Sequence, residues 1–193
     1  EQKVKVSFTA FYTRLFDFIK RGNFQFNGQD SIIYDGVLSQ VQANVNGESA
    51  HIYGFSAAIV ADFTESLSFK ANYNYIFGES VTDTVPLGHI PPTYGQAAIL
   101  YQSDKFQAEF NIQYNGWKHI EDYSPSGVDN EENALPEGTP AWYTLNVRTS
   151  YQLNKTFNVK LAIENLLDKH YRPFASGVSA SGVNLIVGVG AKF

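Results

Sequence analysis

The sequence predicts an all-β chain: an antiparallel up-and-down meander of about eight strands with the pattern of a transmembrane β-barrel. Three observations carry this. Apolar and neutral polar residues alternate with period two through most of the chain. Long and short connections alternate strictly along it. Aromatics make up 15% of the residues and charged residues only 17%, an unusual mix for a soluble enzyme.

The segments follow in order. Weak alternation runs through Val4–Tyr12 and again through Phe55–Phe63. Leu67–Phe77 sets Leu67, Phe69, Ala71, Tyr73, Tyr75 and Phe77 against Ser68, Lys70, Asn72 and Asn74. Gly95–Gln102 is weaker. Phe106–Asn115 is the clearest, with Phe106, Ala108, Phe110, Ile112 and Tyr114 opposing Gln107, Glu109, Asn111, Gln113 and Asn115. Tyr143–Leu153 and Phe157–Glu164 repeat the pattern. The last segment, Leu185–Phe193, sets Leu185, Val187, Val189, Ala191 and Phe193 against Ile186, Gly188, Gly190 and Lys192. No amphipathic helix of useful length is legible.

Three connections are short: around Thr64–Ser66, Ser103–Lys105 and Asn154–Thr156. Four are long: roughly 20–50, 79–93, 121–140 and 170–182. In a meander, strict alternation puts every short turn at one end and every long loop at the other. That is the layout of an outer-membrane barrel, whose strands of about 9–11 residues cross the bilayer tilted.

Composition removes several classes. The net charge is −5, which argues against a nucleic-acid partner. There is no Cys, hence no disulfide, thiol nucleophile or thiolate metal site. No apolar run reaches the roughly 18 residues of a membrane helix. A soluble sandwich or lipocalin-type barrel also alternates, with its apolar face turned inward. The polar faces here carry Asn, Gln and Ser more than the Lys and Glu of a water-exposed sheet. Aromatic clusters near segment ends (Tyr73-Tyr75-Phe77, Tyr114-Trp117, Trp142-Tyr143) read as interfacial girdles. Both point to the membrane arrangement.

The stretch from Pro140 onward is more specific. A Thr139-Pro140 start leads into a strand, a short turn, a second strand and Asn165-Leu166-Leu167-Asp168-Lys169-His170-Tyr171. A loop and a last strand ending in Phe193 follow. This resembles the C-terminal end of a TonB-dependent outer-membrane receptor, whose motif reads Asn-Leu-Phe-Asp-Lys-x-Tyr, with Leu167 at the Phe position. Gly182-Val183-Asn184 departs from that family's Gly-Arg-Asn. Pro86–Pro92 resembles its Ile-Pro-Pro approach to a strand. The resemblance implies a 22-stranded barrel with an N-terminal plug, located in the Gram-negative outer membrane. This chain, as one domain over residues 1–193, would be the barrel's C-terminal segment. The function implied is uptake of a scarce nutrient such as a siderophore-bound iron, a cobalamin or a glycan. The partners implied are the rest of the barrel and plug, the TonB complex, the barrel-assembly machinery and outer-membrane lipid, with no cofactor. Two rivals remain: a complete eight-stranded barrel with a structural or adhesive role, and a soluble ligand-binding barrel.

Lys70, Glu109, Arg148, Lys160 and Glu164 fall on the polar faces. They either line a lumen or form an ion network between strands, which their residue types favour; Arg148 and Glu164 lie on adjacent strands. Asn165, Leu166, Asp168, Lys169 and Tyr171 belong to the motif, which reads as turn chemistry. The loop 121–137 carries Glu121, Asp122, Asp129, Glu131, Glu132 and Glu137. A solvated acidic loop accounts for it better than a calcium site, because the spacing fits no EF-hand. His51, His89, His119 and His170 are scattered without ligand spacing, although His119 and His170 fall near the long-loop ends. No Gly-x-Ser-x-Gly stands anywhere, so catalysis is not expected.

Leu185, Val187, Val189, Ala191 and Phe193 resemble the signal that the barrel-assembly machinery reads. Deleting Phe193 from the receptor should lower its outer-membrane level severalfold while leaving the ligand affinity of the inserted fraction unchanged. Membrane fractionation and binding measured on the same cells check this; normal membrane levels would refute it.

Overall fold

The computed structural model describes residues 3–192. Phe193 therefore lies outside the described residues. Eight strands build one antiparallel sheet in chain order: β1 (Lys3–Asn23), β2 (Gln42–Asp62), β3 (Leu67–Ser80), β4 (Tyr94–Gln102), β5 (Phe106–Asn115), β6 (Trp142–Gln152), β7 (Phe157–Glu164) and β8 (Asn184–Ala191). Val85–Pro86 adds a short pairing beside β3. Each strand pairs with its sequence neighbours only, so β1 and β8 each keep one unpaired edge and the sheet is open among the described residues.

The three short turns close by one device. A side-chain oxygen takes the backbone N–H groups that the reversing chain leaves free. Thr64 Oγ1 accepts from Ser66 N at 3.1 Å and Leu67 N at 3.0 Å. Asn154 Oδ1 accepts from Thr156 N and Phe157 N, both at 2.9 Å. Ser103 Oγ accepts from Phe106 N at 3.3 Å.

The long connection expected over 20–50 is mostly not a loop. β1 and β2 run 21 residues each and stay in one register from Lys3↔Asp62 to Asn23↔Gln42. The alternation fades beyond Tyr12 because Arg14, Asp17, Lys20 and Arg21 interrupt it, while the backbone ladder continues. Hydrogen bonding needs no apolar face; only burial against something apolar does. A second hairpin, Ser31–Tyr34 with Val37–Gln40, tops this ribbon. It turns on Asp35 and Gly36 at φ +49° and +79°, the left-handed pair that a two-residue type I′ turn requires.

Burial settles which face is enclosed. The apolar face is open: Val6 is 68% exposed and Val187 64%, while Asn111, Asn146 and Thr144 on the polar face are 2–4% exposed. The hydrophobic residues buried among those described are Ala50, Ala61 and Tyr123, far too few for a soluble core. This inverts the pattern of a soluble sheet. On the exposed face the aromatics form two bands. Near the long loops, Phe8, Phe55, Tyr73 and Tyr114 succeed one another with ring centroids 5.7–6.1 Å apart. The Tyr73 and Tyr114 rings meet across Gly95, where a Cβ would lie 2.9 Å from the Tyr114 ring. Near the short turns stand Tyr101 and Phe106, 6.3 Å apart, with Tyr151 and Phe157 exposed beside them. Eight residues separate Phe106 from Tyr114. At about 3.4 Å per residue that is roughly 27 Å of strand, or about 20 Å along the normal after a ~40° tilt, close to the apolar band of a membrane barrel. Trp142 does not join its band. It shares the parity of Thr144 and Asn146 and so lies on the polar face, leaving Tyr143 alone outside.

Candidate functional site

The register lays the polar face out in rows. Nearest the long loops, Asn74, Tyr94, Asn115 and Trp142 stand side by side on β3 to β6. The next row is Asn72, Gln96, Gln113 and Thr144, and the next Lys70, Ala98, Asn111 and Asn146. Below these come Ser68, Leu100, Glu109, Arg148, Ala162 and Ile186. The face is therefore stratified, with neutral amides and aromatics near the long loops and charge from the Lys70 row downward.

The charged level is mostly paired. Arg148 Nη2 donates to Glu164 Oε1 at 2.7 Å, and Arg148 Nη1 lies 3.7 Å from Glu109 Oε1. Glu109 Oε1 accepts from Asn111 Nδ2 at 2.7 Å, and Asn111 Oδ1 accepts from Asn146 Nδ2 at 2.8 Å. Asn146 Oδ1 in turn accepts from Asn165 N at 2.9 Å. One guanidinium between two carboxylates thus connects through two buried amides to the end of β7. Lys70 and Lys160 stand apart from this chain, exposed on the same face.

Asn165 is the hub of the next connection. Its φ of +53° is left-handed, a conformation Asn tolerates better than most residues. Its Oδ1 accepts from Lys169 N at 2.9 Å, and its Nδ2 donates to Lys169 O and Ser181 O at 2.9 and 3.1 Å. Asp168 Oδ1 accepts from Val183 N at 2.9 Å. Together they pin both ends of the loop 170–182. Leu166 N donates to Leu145 O at 2.9 Å. The Tyr171 ring lies 4.1 Å from that of Trp142; burial there, with Glu164 nearby, raises the pKa of its hydroxyl. The Lys169 side chain is exposed. Leu185, Val187, Val189 and Ala191 all lie on the exposed apolar face of β8.

The loops close over the polar face as one packed cluster. Lys118 is 5% exposed. Its Nζ donates to Ile90 O at 2.8 Å and lies 5.1 Å from the Phe174 ring centre. Burial pushes its pKa down, opposed by the carboxylates of Asp122 and Asp129. Phe174 packs edge-on against Tyr123 at 5.3 Å. Asn130 Nδ2 donates to Ala175 O, and Arg172 Nη1 to Asn133 O. Asp129 departs from the expectation of a solvated acidic loop. It is 1% exposed because its carboxylate is taken up by His89 N at 2.7 Å and Ser124 N at 2.9 Å. Glu121, Asp122, Glu131, Glu132 and Glu137 remain exposed. No cluster of three or more metal-ligating His, Asp or Glu occurs among the described residues; His119 stacks on Trp117 at 5.5 Å and His51 on Tyr53 at 5.7 Å.

Most of these loop contacts join residues 28 to 56 positions apart, and no local pattern announces them. The neutral rows could have been read from Asn72 and Gln113 on the polar side of their strands. Their alignment with Gln96 and Trp142 needed the register.

Residues 2–166 match the family described as TonB dependent receptor-like, beta-barrel. The chain belongs to this family. It is a family of receptors, not of enzymes, and its place is the Gram-negative outer membrane. Among curated proteins, the iron-regulated outer membrane virulence protein of Vibrio cholerae is 24% identical over 153 residues, covering 77% of this chain and 22% of that protein. Among solved structures, the copper transporter OprC aligns over 99% of this chain and 29% of its own, at TM-score 0.80 and 15% identity. The ferric enterobactin receptor PfeA of Pseudomonas aeruginosa aligns over 97% and 29%, at TM-score 0.71 and 16% identity. At such identities these likenesses carry the fold alone. The chain spans less than a third of the length of each.

Because Asn165 carries four hydrogen bonds while 4% exposed, Asn165→Ala should raise amide exchange across residues 165–183 at least tenfold. Exchange in β5 should stay unchanged. Hydrogen exchange read by mass spectrometry on the detergent-solubilised receptor checks this; equal exchange in both forms would contradict it.

Proposed function

We propose that this chain is the C-terminal part of a TonB-dependent receptor barrel that imports a chelated metal nutrient, iron foremost. The observation that carries the reading is the inverted sheet: an exposed apolar face, with loops packed onto a polar face that is neutral at the mouth and charged below. A wall of this kind suits a lumen that captures a ligand from outside, not a filled eight-stranded barrel. Eight strands of a 22-stranded, plugged barrel also agree with the share of the relatives' length that the chain spans. The whole barrel would supply neighbours for the open edges of β1 and β8. The plug and the TonB complex would supply gating and energy. Outer-membrane lipid would cover Val4, Val6, Phe8, Leu185, Val187 and Val189, and the barrel-assembly machinery would read β8.

Iron is favoured because the Vibrio cholerae relative is named as iron-regulated and PfeA as a ferric enterobactin receptor. The likeness to a copper transporter adds less. The chain has no Cys and no Met, so it offers no thiolate or thioether to a soft copper(I) ion.

Uptake of radioactive iron by cells under iron limitation tests the proposal. Disrupting the full receptor gene should reduce TonB-dependent uptake of at least one ferric chelate by tenfold or more, and the intact gene should restore it. Unchanged uptake of every ferric chelate, with a growth defect confined to another nutrient, would refute it.

A further inference from the structure

We propose that the mouth of this wall binds a ligand that is electrically neutral and rich in hydrogen-bonding groups. For an iron chelate this means a ferric trihydroxamate, not a ferric triscatecholate. The choice of an iron chelate rests on the import reading above; the neutrality of the site does not.

The observation is an open cleft of about 760 Å³ between the upper rows of β3 to β6 and the loop carrying Phe174. Its size lies within the usual range for small-molecule sites. Asn72, Asn74, Gln96 and Gln113 form its wall, and Trp142 and Phe174 flank them; none of the residues lining it is charged. Asn72 and Asn74 are partly engaged with each other, at 3.3 Å, and with Ser56, whose Oγ donates to Asn74 Oδ1 at 2.8 Å. The Gln96 and Gln113 amides make no hydrogen bond among the described residues. They are left to present donors and acceptors to whatever enters.

Charge decides the class of ligand. Ferric iron held by three singly charged hydroxamates is neutral; held by three doubly charged catecholates it carries three negative charges. Holding a trianion tightly against this cleft calls for cations in contact with it, because charge-assisted hydrogen bonds are what make anion binding strong. The nearby cations are committed elsewhere or set lower. Lys118, behind the loop, gives its ammonium to Ile90 O and the Phe174 ring. Arg148 is held by Glu164 and Glu109. Lys70 begins one row below Asn72 on the same strand. An amide both donates and accepts, so Gln96 and Gln113 suit the carbonyl, hydroxyl and amide groups of a neutral ligand, while the Trp142 and Phe174 rings cover its apolar faces.

Calorimetric titration of the full-length receptor in detergent tests this with three probes: ferrichrome as a neutral ferric trihydroxamate, ferric enterobactin as the trianion, and a neutral maltooligosaccharide. Ferrichrome should bind at least tenfold more tightly than ferric enterobactin. A Gln96→Ala/Gln113→Ala double variant should weaken ferrichrome binding at least tenfold. Gln113→Lys should shift the preference toward the trianion at least tenfold, which a merely misfolded variant would not do. Tighter binding of ferric enterobactin by the wild type overturns the proposal and leaves the iron reading intact. Binding of the oligosaccharide alone, lost in the double variant, supports the neutral site and overturns the iron reading. Binding of none of the three, or full ferrichrome binding by the double variant, overturns the proposal.

Discussion

A backbone in a bilayer has no water to bond, so every N–H and C=O there must pair with another strand. The rest of this structure follows from that requirement. It forces the regular ladder from β1 to β8 and fixes the parity of each side chain. It also leaves the outer edges of β1 and β8 as the places where the sheet is unfinished, because an unpaired edge is open to further pairing. With parity fixed, the amino-acid types have little freedom. One side of every strand must be compatible with lipid and the other with the lumen. Val, Phe, Tyr and Leu occupy the first; Asn, Gln, Ser, Thr and a few charges occupy the second.

On the polar face the same ladder sorts chemistry by height. The buried amides of Asn111 and Asn146, level with Lys70, bond each other and the backbone N–H of Asn165. The guanidinium of Arg148 sits lower, between two carboxylates, where neighbouring opposite charges lower the cost of partial burial. Asn111 and Asn146 connect this ion group to Asn165, and Asn165 holds the loop 170–182. That loop carries Phe174 to Lys118 and the Asp129 loop. Wall charge and mouth architecture are therefore joined by a continuous chain of hydrogen bonds and ring contacts. The loops are thereby braced against the wall.

Much of the fold was legible in the sequence because period two is a strong signal where one face must be apolar. Phe106–Asn115 and Phe157–Glu164 match observed strands to the residue. The signal weakened where that requirement lapsed. Beyond Tyr12 the β1–β2 ribbon stays paired with neither face held to an apolar rule, so alternation marks only Val4–Tyr12 of β1 and Phe55–Phe63 at the end of β2. Trp142 was grouped with Tyr143 because both are aromatic, although adjacent residues on a strand face opposite ways. The buried state of Asp129 was invisible for another reason. It depends on the backbone N–H of His89, forty residues away, and nothing in an acidic stretch announces such a partner. Arg148 and Glu164 could be placed on adjacent strands, but the amide relay through Asn111 and Asn146 required the register.

The central claim is that the polar face lines the lumen and the apolar face meets lipid. The lack of cysteine in this chain leaves the segment clear for site-directed spin labelling. Single cysteines placed one at a time from Phe106 to Asn115, in the full receptor reconstituted in bilayers, would each carry a nitroxide. Collision with oxygen, which concentrates in lipid, should peak at 106, 108, 110, 112 and 114. Collision with a water-soluble nickel chelate should peak at 107, 109, 111 and 113. The opposite phase, or no alternation of period two, would contradict the account.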